Sequence, residues 1–187
     1  MAQRYWNRFS REGAAGQVLP PGEDLAAFRS GVGREALTVP KMWPFYTITP
    51  DESAHLERFG AASAGQQAEH AALALFGVHQ QSQKTLMHMP GIGLGSALRV
   101  LRGHEKYSAD AVDRRVSAMV SATSVSMLTY RLRGLVTQLR DIKQPLDYDR
   151  LLRDLEHWPW PDRRQRVRTA WAQGYQRWEK PAETTTD

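Results

Sequence analysis

Ser124-Val125-Ser126-Met127-Leu128-Thr129-Tyr130-Arg131-Leu132-Arg133-Gly134-Leu135-Val136-Thr137-Gln138-Leu139-Arg140-Asp141-Ile142 sets Leu128, Leu132, Leu135, Val136, Leu139 and Ile142 on one stripe. That spacing has the 3.6-residue period of a helix with a single apolar face. Ser124 is the residue type that caps such a helix, and Pro145 is expected to stop it. Arg133 and Arg140 fall seven apart on an outer face, and Arg131 flanks the stripe.

The same period recurs on both sides of this segment. Upstream, Ser108 caps a helix expected to run to about Ala122, with Val112, Val116, Met119 and Val120 inward. Its Asp110 and Asp113 suit the positive end of the helix dipole. Downstream, Asp147 caps a helix carrying Leu151, Leu152 and Leu155. Pro159 and Pro161 separate it from a last helix over 162–178, with Val167, Trp171, Tyr175 and Trp178 inward and a frayed tail over 182–187.

Further toward the N-terminus the pattern is looser. A helix is expected over 24–30, with Leu25 and Phe28 inward. Residues 31–50 hold Pro40, Pro44 and Pro50 with Met42, Trp43, Phe45 and Tyr46 between them, which reads as a core plug under a loop. Thr49-Pro50-Asp51-Glu52 is a capping box with proline in the first turn. A break at 60–65 precedes a helix over 66–80 bearing Leu73, Leu75, Phe76 and Val78. A polar loop over 81–93 then feeds a short helix over 95–102, and 103–107 is the expected boundary. Alternation of the strand type is nowhere sustained. The fold class is therefore all-α, with two helical bundles on a short linker. An N-terminal helical region with its proline and aromatic segment spans 1–105, and a C-terminal bundle spans 106–187.

Composition limits the rest. The 187 residues include 41% hydrophobic ones, enough for a real core, and no cysteine, which removes disulfides, thiolate zinc sites and a thiol nucleophile. No signal peptide is expected at the N-terminus, and the longest apolar run, 71–78, is far too short for a membrane span. The absence of cysteine suits a cytoplasmic protein. The net charge is +5, and 20 of the 25 basic residues are arginines, 13 of them between Arg99 and Arg168. Arginine forks phosphate and stacks on bases, so the bias suits nucleic acid; a GC-rich coding preference gives the same count.

Tests for catalysis return little. The six histidines form no HExxH and no i,i+4 pair, so no metal site is expected and they read as scattered surface or capping residues. Gly91-Ile92-Gly93-Leu94-Gly95 leads into a helix but is neither GxGxxG nor a P-loop; close helix packing accounts for it as well as a phosphate does. There is no GxSxG elbow, and the carboxylates show no converging spacing. Arg163, Arg164, Arg166 and Arg168 crowd the first turns of the last helix, against its dipole, which favours a binding use for that cluster.

One resemblance is specific in its order and spacing. It runs from His79-Gln80-Gln81 to Gly93-Leu94-Gly95-Ser96-Ala97-Leu98 with Arg99 and Leu101-Arg102, then Asp113-Arg114-Arg115. It continues through Leu132-Arg133-Gly134-Leu135-Val136, Leu139-Arg140 and Pro145-Leu146-Asp147-Tyr148. It closes with Leu151-Leu152-Arg153-Asp154-Leu155, Trp158 and Pro161-Asp162-Arg163-Arg164 through Trp171. Over about residues 24–178 the chain resembles the CasB family, the small subunit of the type I-E CRISPR surveillance complex, Cascade. Ser121-Ala122-Thr123 stands where many members carry Arg-Ala-Asp.

The resemblance implies an all-helical, non-catalytic protein without cofactor, present in two copies in the complex. Its expected partners are the large subunit, the repeated backbone subunits, a second copy of itself, the CRISPR RNA and the target DNA with its displaced strand. A basic surface would support the guide–target heteroduplex and the R-loop in antiviral defence. Carried over, that role falls on Arg99, Arg102, Arg114, Arg115, Arg131, Arg133 and Arg140, with Lys84 in the loop. The rival readings are a free-standing helical DNA-binding regulator, which needs an exposed recognition helix, and a small helical nuclease.

Overall fold

The computed structural model describes residues 3–10, 12–13, 16–47 and 49–176. It contains eight α-helices among these residues: α1 (Gly22–Ser30), α2 (Pro50–Phe59), α3 (Ala64–Gln80), α4 (Leu94–Arg102), α5 (Ala109–Val120), α6 (Val125–Asp141), α7 (Tyr148–His157) and α8 (Pro161–Tyr175). Two 3-10 segments, Tyr5–Phe9 and Pro40–Phe45, and one two-residue antiparallel pair, Glu12–Gly13 with Gly16–Gln17, complete the regular structure. The all-α expectation holds. The expected inward Trp178 and the tail over 182–187 lie outside the described residues.

The caps are where the side chains place them. Ser108, Ser124 and Asp147 each accept the amide three residues on, and Thr49 with Glu52 closes a full capping box. Ser63 and Gln66 close a second box at α3. Pro145 does not end α6; the helix stops four residues earlier, where Lys143 takes a left-handed φ of 56° and its amide bonds the Arg140 carbonyl.

α3 is the axis of the fold. It packs on α1, α6 and α7, while α4 packs on α8. Every residue from Ala68 to Gln80 is buried, which the alanine- and leucine-rich segment permits on all sides. Gly77 allows α1 to cross closely, since a Cβ there would lie 2.6 Å from that of Phe28. One hydrophobic cluster runs from Tyr5 and Trp6 through α3 and α6 to Trp158 and Trp171, so helices from both sides of residue 105 share it.

The polar residues of α3 are each paired, as burial requires. Glu69 accepts from Arg4 at 2.5 Å and from the Thr47 amide at 2.9 Å. His70 meets the Tyr46 hydroxyl at 2.6 Å and the Gly31 carbonyl at 2.9 Å. His79 meets the Tyr148 hydroxyl and the Gln144 carbonyl, both at 3.0 Å. The histidine expectation is therefore corrected: His70, His79 and His88 are core residues. The proline-interleaved apolar segment was also expected to plug the core with Trp43, but Trp43 is 55% exposed beside a fully buried Met42.

The 81–93 loop is not a free polar loop. Leu86 and Met87 are buried, and the chain is strapped to the start of α7. Leu146 bonds Met87 and Met89 through its backbone, the Asp147 amide donates to the Ile92 carbonyl at 2.7 Å, and Asp147 Oδ2 accepts the Gly91 amide at 2.8 Å. Gly91 has φ of 88°, a conformation that glycine adopts without penalty.

Candidate nucleic-acid interface

The glycines entering α4 serve packing. A Cβ at Gly95 would overlap the Trp171 carbonyl, and one at Gly174 would come within 3.0 Å of the Ser96 amide, so α4 and α8 cross backbone to backbone. Leu94, Ala97, Leu98 and Leu101 face inward from α4. That leaves a narrow outer face and little surface for reading bases in a groove.

The sequence-selected cations divide into two sets. Three are tied into the fold. Arg102 bonds both Asp113 oxygens, at 2.8 and 3.1 Å, and the Tyr175 hydroxyl donates to the same carboxylate. These hydrogen bonds hold the Asp113 carboxyl below the usual carboxylate range. Arg131 donates to the Ala118 carbonyl and to Ser121 Oγ, closing the end of α5. Arg140 reaches the Val78 carbonyl at 3.4 Å, Gln81 Oε1 at 3.3 Å and Asp141 Oδ1 at 3.5 Å.

The side chains of the other five, Arg99, Arg114, Arg115, Arg133 and Lys84, make no hydrogen bond or ion pair among the described residues. Arg99 is half-buried on α4; the other four are exposed. The structure brings Arg115 and Arg140 together around Tyr107, where both act electrostatically on the hydroxyl. That hydroxyl donates to Asp141 Oδ2 at 3.2 Å, and Lys106 Nζ stands 3.8 Å from the same oxygen. Burial, then the Asp141 charge, raises the Tyr107 pKa. Arg133 lies two helical turns before Arg140 on α6, beside Tyr130, which is 77% exposed. Lys106, Tyr107 and Tyr130 escaped the sequence reading; an aromatic off the apolar stripe was the available signal.

The last arginine cluster is also split. Arg164 donates to the Thr123 carbonyl at 2.9 Å and Arg168 to the Ala122 carbonyl at 3.0 Å. They satisfy the residues between α5 and α6, so the expectation of a binding use for the whole cluster is corrected: Arg164 and Arg168 hold the fold. Among the described residues no group of three or more histidines, cysteines or carboxylates is placed to hold a metal ion, and no helix is long and apolar enough to cross a membrane.

Residues 24–175 match the family model of the CRISPR-associated protein Cse2. The chain belongs to the Cse2 family. CasB from Thermobifida fusca has a similar structure, with a TM-score of 0.63 and 30% identity over 82% of this chain and 84% of that one. A Cse2-family protein from Thermus thermophilus aligns with a TM-score of 0.59 and 25% identity over 82% and 85% of the two chains. A chain of a CRISPR RNA-guided surveillance complex shares the fold at 24% identity and a TM-score of 0.59, over 84% of this chain and 83% of that one. No curated protein shows significant similarity. The resemblance read from the motifs over 24–178 thus identified the family; the segment before it, including Tyr5 and Trp6, was missed as a core contributor.

Proposed function

We propose that this Cse2-family chain is a non-catalytic subunit of a CRISPR RNA-guided surveillance complex, present there in two copies in the cytoplasm. It contacts the large subunit, the repeated backbone subunits and its own second copy. Its arginines on α5 and α6 grip phosphate backbone of the guide RNA–target DNA heteroduplex and of the displaced strand. Base pairing supplies sequence in such a complex, so the subunit needs only cations at backbone spacing.

The observation that carries this reading is the freedom of Arg115 and Arg133. Both are exposed at the flanks of apolar stripes and unpaired within the described chain. Residues committed to holding the fold would have partners, as Arg102 and Arg131 do.

The test is Arg115→Glu with Arg133→Glu in the reconstituted complex. Target-DNA binding near physiological salt is expected to weaken at least tenfold, with a shallower salt dependence, as lost phosphate contacts require. The melting temperature of the isolated variant is expected to stay within a few degrees of the parent. Unchanged target binding overturns the assignment of these residues.

A further inference from the structure

Glu69, buried on α3, ties together two segments far apart in sequence. Its Oε1 accepts from Arg4 Nη1 at 2.5 Å and its Oε2 from the Thr47 amide at 2.9 Å. Arg4 leads into the 3-10 turn Tyr5–Phe9, and Thr47 ends a plug over 37–47 that contains the 3-10 turn Pro40–Phe45. The two segments also meet through rings. Tyr5 stands edge-on to Phe45 at 5.5 Å and to Phe28 of α1 at 4.7 Å, and Phe45 stands edge-on to Phe28 at 4.8 Å. Phe28 has no exposed surface and is covered from both segments.

Neither segment is held by backbone. Among the described residues, no backbone–backbone hydrogen bond joins 3–10 or 37–47 to an α-helix. The N-terminal turn hangs on carboxylates of three helices. Tyr5 Oη donates to Asp24 Oδ2 at 2.5 Å, Arg4 pairs with Glu69, and Trp6 Nε1 and Asn7 Nδ2 donate to Asp149 at 2.8 and 2.9 Å. The plug is anchored by the buried side chains of Val39 and Met42 and by the Tyr46 hydroxyl, which meets His70 Nδ1 at 2.6 Å.

The plug also carries strain. Leu37 has φ of 67°, a left-handed conformation that a residue with a branched side chain holds only under constraint. Here its amide donates to the Tyr46 hydroxyl and its carbonyl accepts from Trp43 Nε1. Release of the plug relieves that strain. Segments fastened by side chains, with no ladder to tear, are the ones that open locally ahead of the whole fold.

Loss of either segment undermines the other. Without Arg4, Glu69 is a buried carboxylate with no cation beside it, and that is strongly unfavourable. Even with Arg4 in place, burial holds the Glu69 pKa above the usual carboxylate range. Without Tyr5, both Phe45 and Phe28 lose an edge-to-face neighbour, and a void opens between the segments.

We propose that residues 3–10 and 37–47 form one two-part lid, clasped by Glu69, that opens as a unit over Phe28 while the helices beneath stay folded. A contact that draws one part away therefore releases the other.

The test is thiol labelling of the full chain, which has no cysteine of its own. Val39→Cys, at a position 4% exposed, reports opening of the plug; Ala122→Cys, fully buried between α5 and α6, reports opening of the rest. Val39→Cys is expected to label about tenfold faster than Ala122→Cys or more. Arg4→Met is expected to speed labelling at Val39→Cys about threefold or more and to leave Ala122→Cys unmoved. Asn7→Ala, whose lost amide reaches Asp149 and not the plug, should act in the same direction. Arg4→Lys keeps the cation and should stay near the parent rate. In a Glu69→Gln background, Arg4→Met should add little, because the charge it pairs with is gone. Melting curves check that each variant is folded.

Equal rates at Val39→Cys and Ala122→Cys overturn the lid, since the plug then opens only with the whole fold. A Val39→Cys rate unmoved by Arg4→Met and Asn7→Ala overturns the coupling between the two parts. An Arg4→Met effect of equal size at Ala122→Cys overturns it as well, marking a loss of global stability. An undiminished Arg4→Met effect in the Glu69→Gln background overturns the clasp.

Discussion

His79 shows at a single residue how burial decides chemistry. Its ring is fully enclosed, its pKa is pushed down to about 3, chiefly by desolvation, and it is held neutral between the Tyr148 hydroxyl and the Gln144 carbonyl. The carbonyl can only accept, so Nε2 carries the proton and Nδ1 accepts from Tyr148. Burial also lowers the pKa of His70 and His88. In the unfolded chain these rings protonate near pH 6.5. At these rings the unfolded state binds more protons below that pH, so their contribution to stability falls as pH drops from about 6.5 through about 3, against the opposite contribution of Glu69 and Asp154, whose carboxyl pKa values burial raises. Each unit costs about 1.4 kcal/mol for His79 alone within that window. Urea titrations from pH 7.5 to 4.5 should show the decline, and His79→Gln should flatten it; a parent curve without slope there refutes the account.

At the scale of the element, the α4–α8 crossing depends on Gly95 and Gly174 facing each other. Gly95→Ala puts a methyl into the Trp171 carbonyl, and backbone cannot swing aside as a side chain can. The expected cost is about 1–3 kcal/mol, the usual range for overpacking, read as a lowered denaturant midpoint with an unchanged slope. Gly134→Ala, where a Cβ meets nothing within 4 Å, is the control expected to be neutral or stabilising. Helices such as α5, α6 and α7 were legible because cap, stripe and stop are local. The straps that turn 81–93 into ordered structure were not, since Met87, Gly91 and Ile92 bond Leu146 and Asp147 more than fifty residues away. The same limit hid the fates of the arginines. Spacing placed Arg133 and Arg140 on an outer face of α6 and Arg131 at the flank of its stripe, but whether a guanidinium is free or bonded to a distant carbonyl is a tertiary fact. The buried histidines escaped for the same reason, as periodicity around His70 and His79 does not reveal that α1, α6 and α7 enclose α3.

For the whole molecule, the decisive fact is that α3 draws on both halves of the sequence. Melting followed by tryptophan fluorescence and by helical circular dichroism is expected to give one coincident transition, because Trp6 and Trp158 belong to one hydrophobic cluster. Two separated transitions would show that the halves are independently stable. The modest net charge of +5 is compatible with a basic surface, because the free cations are gathered on a few helices rather than spread evenly.

The burial of α3 on all sides bears on how the protein is made. The helix is complete at Gln80, but α6 and α7, which cover much of it, end at Asp141 and His157. A ribosome adding about 5–20 residues per second leaves that interval open for roughly 4–15 s. During it, the apolar run 71–78 has no native cover from those helices. Successful production of the chain therefore depends on what shields one helix while its partners are still being translated.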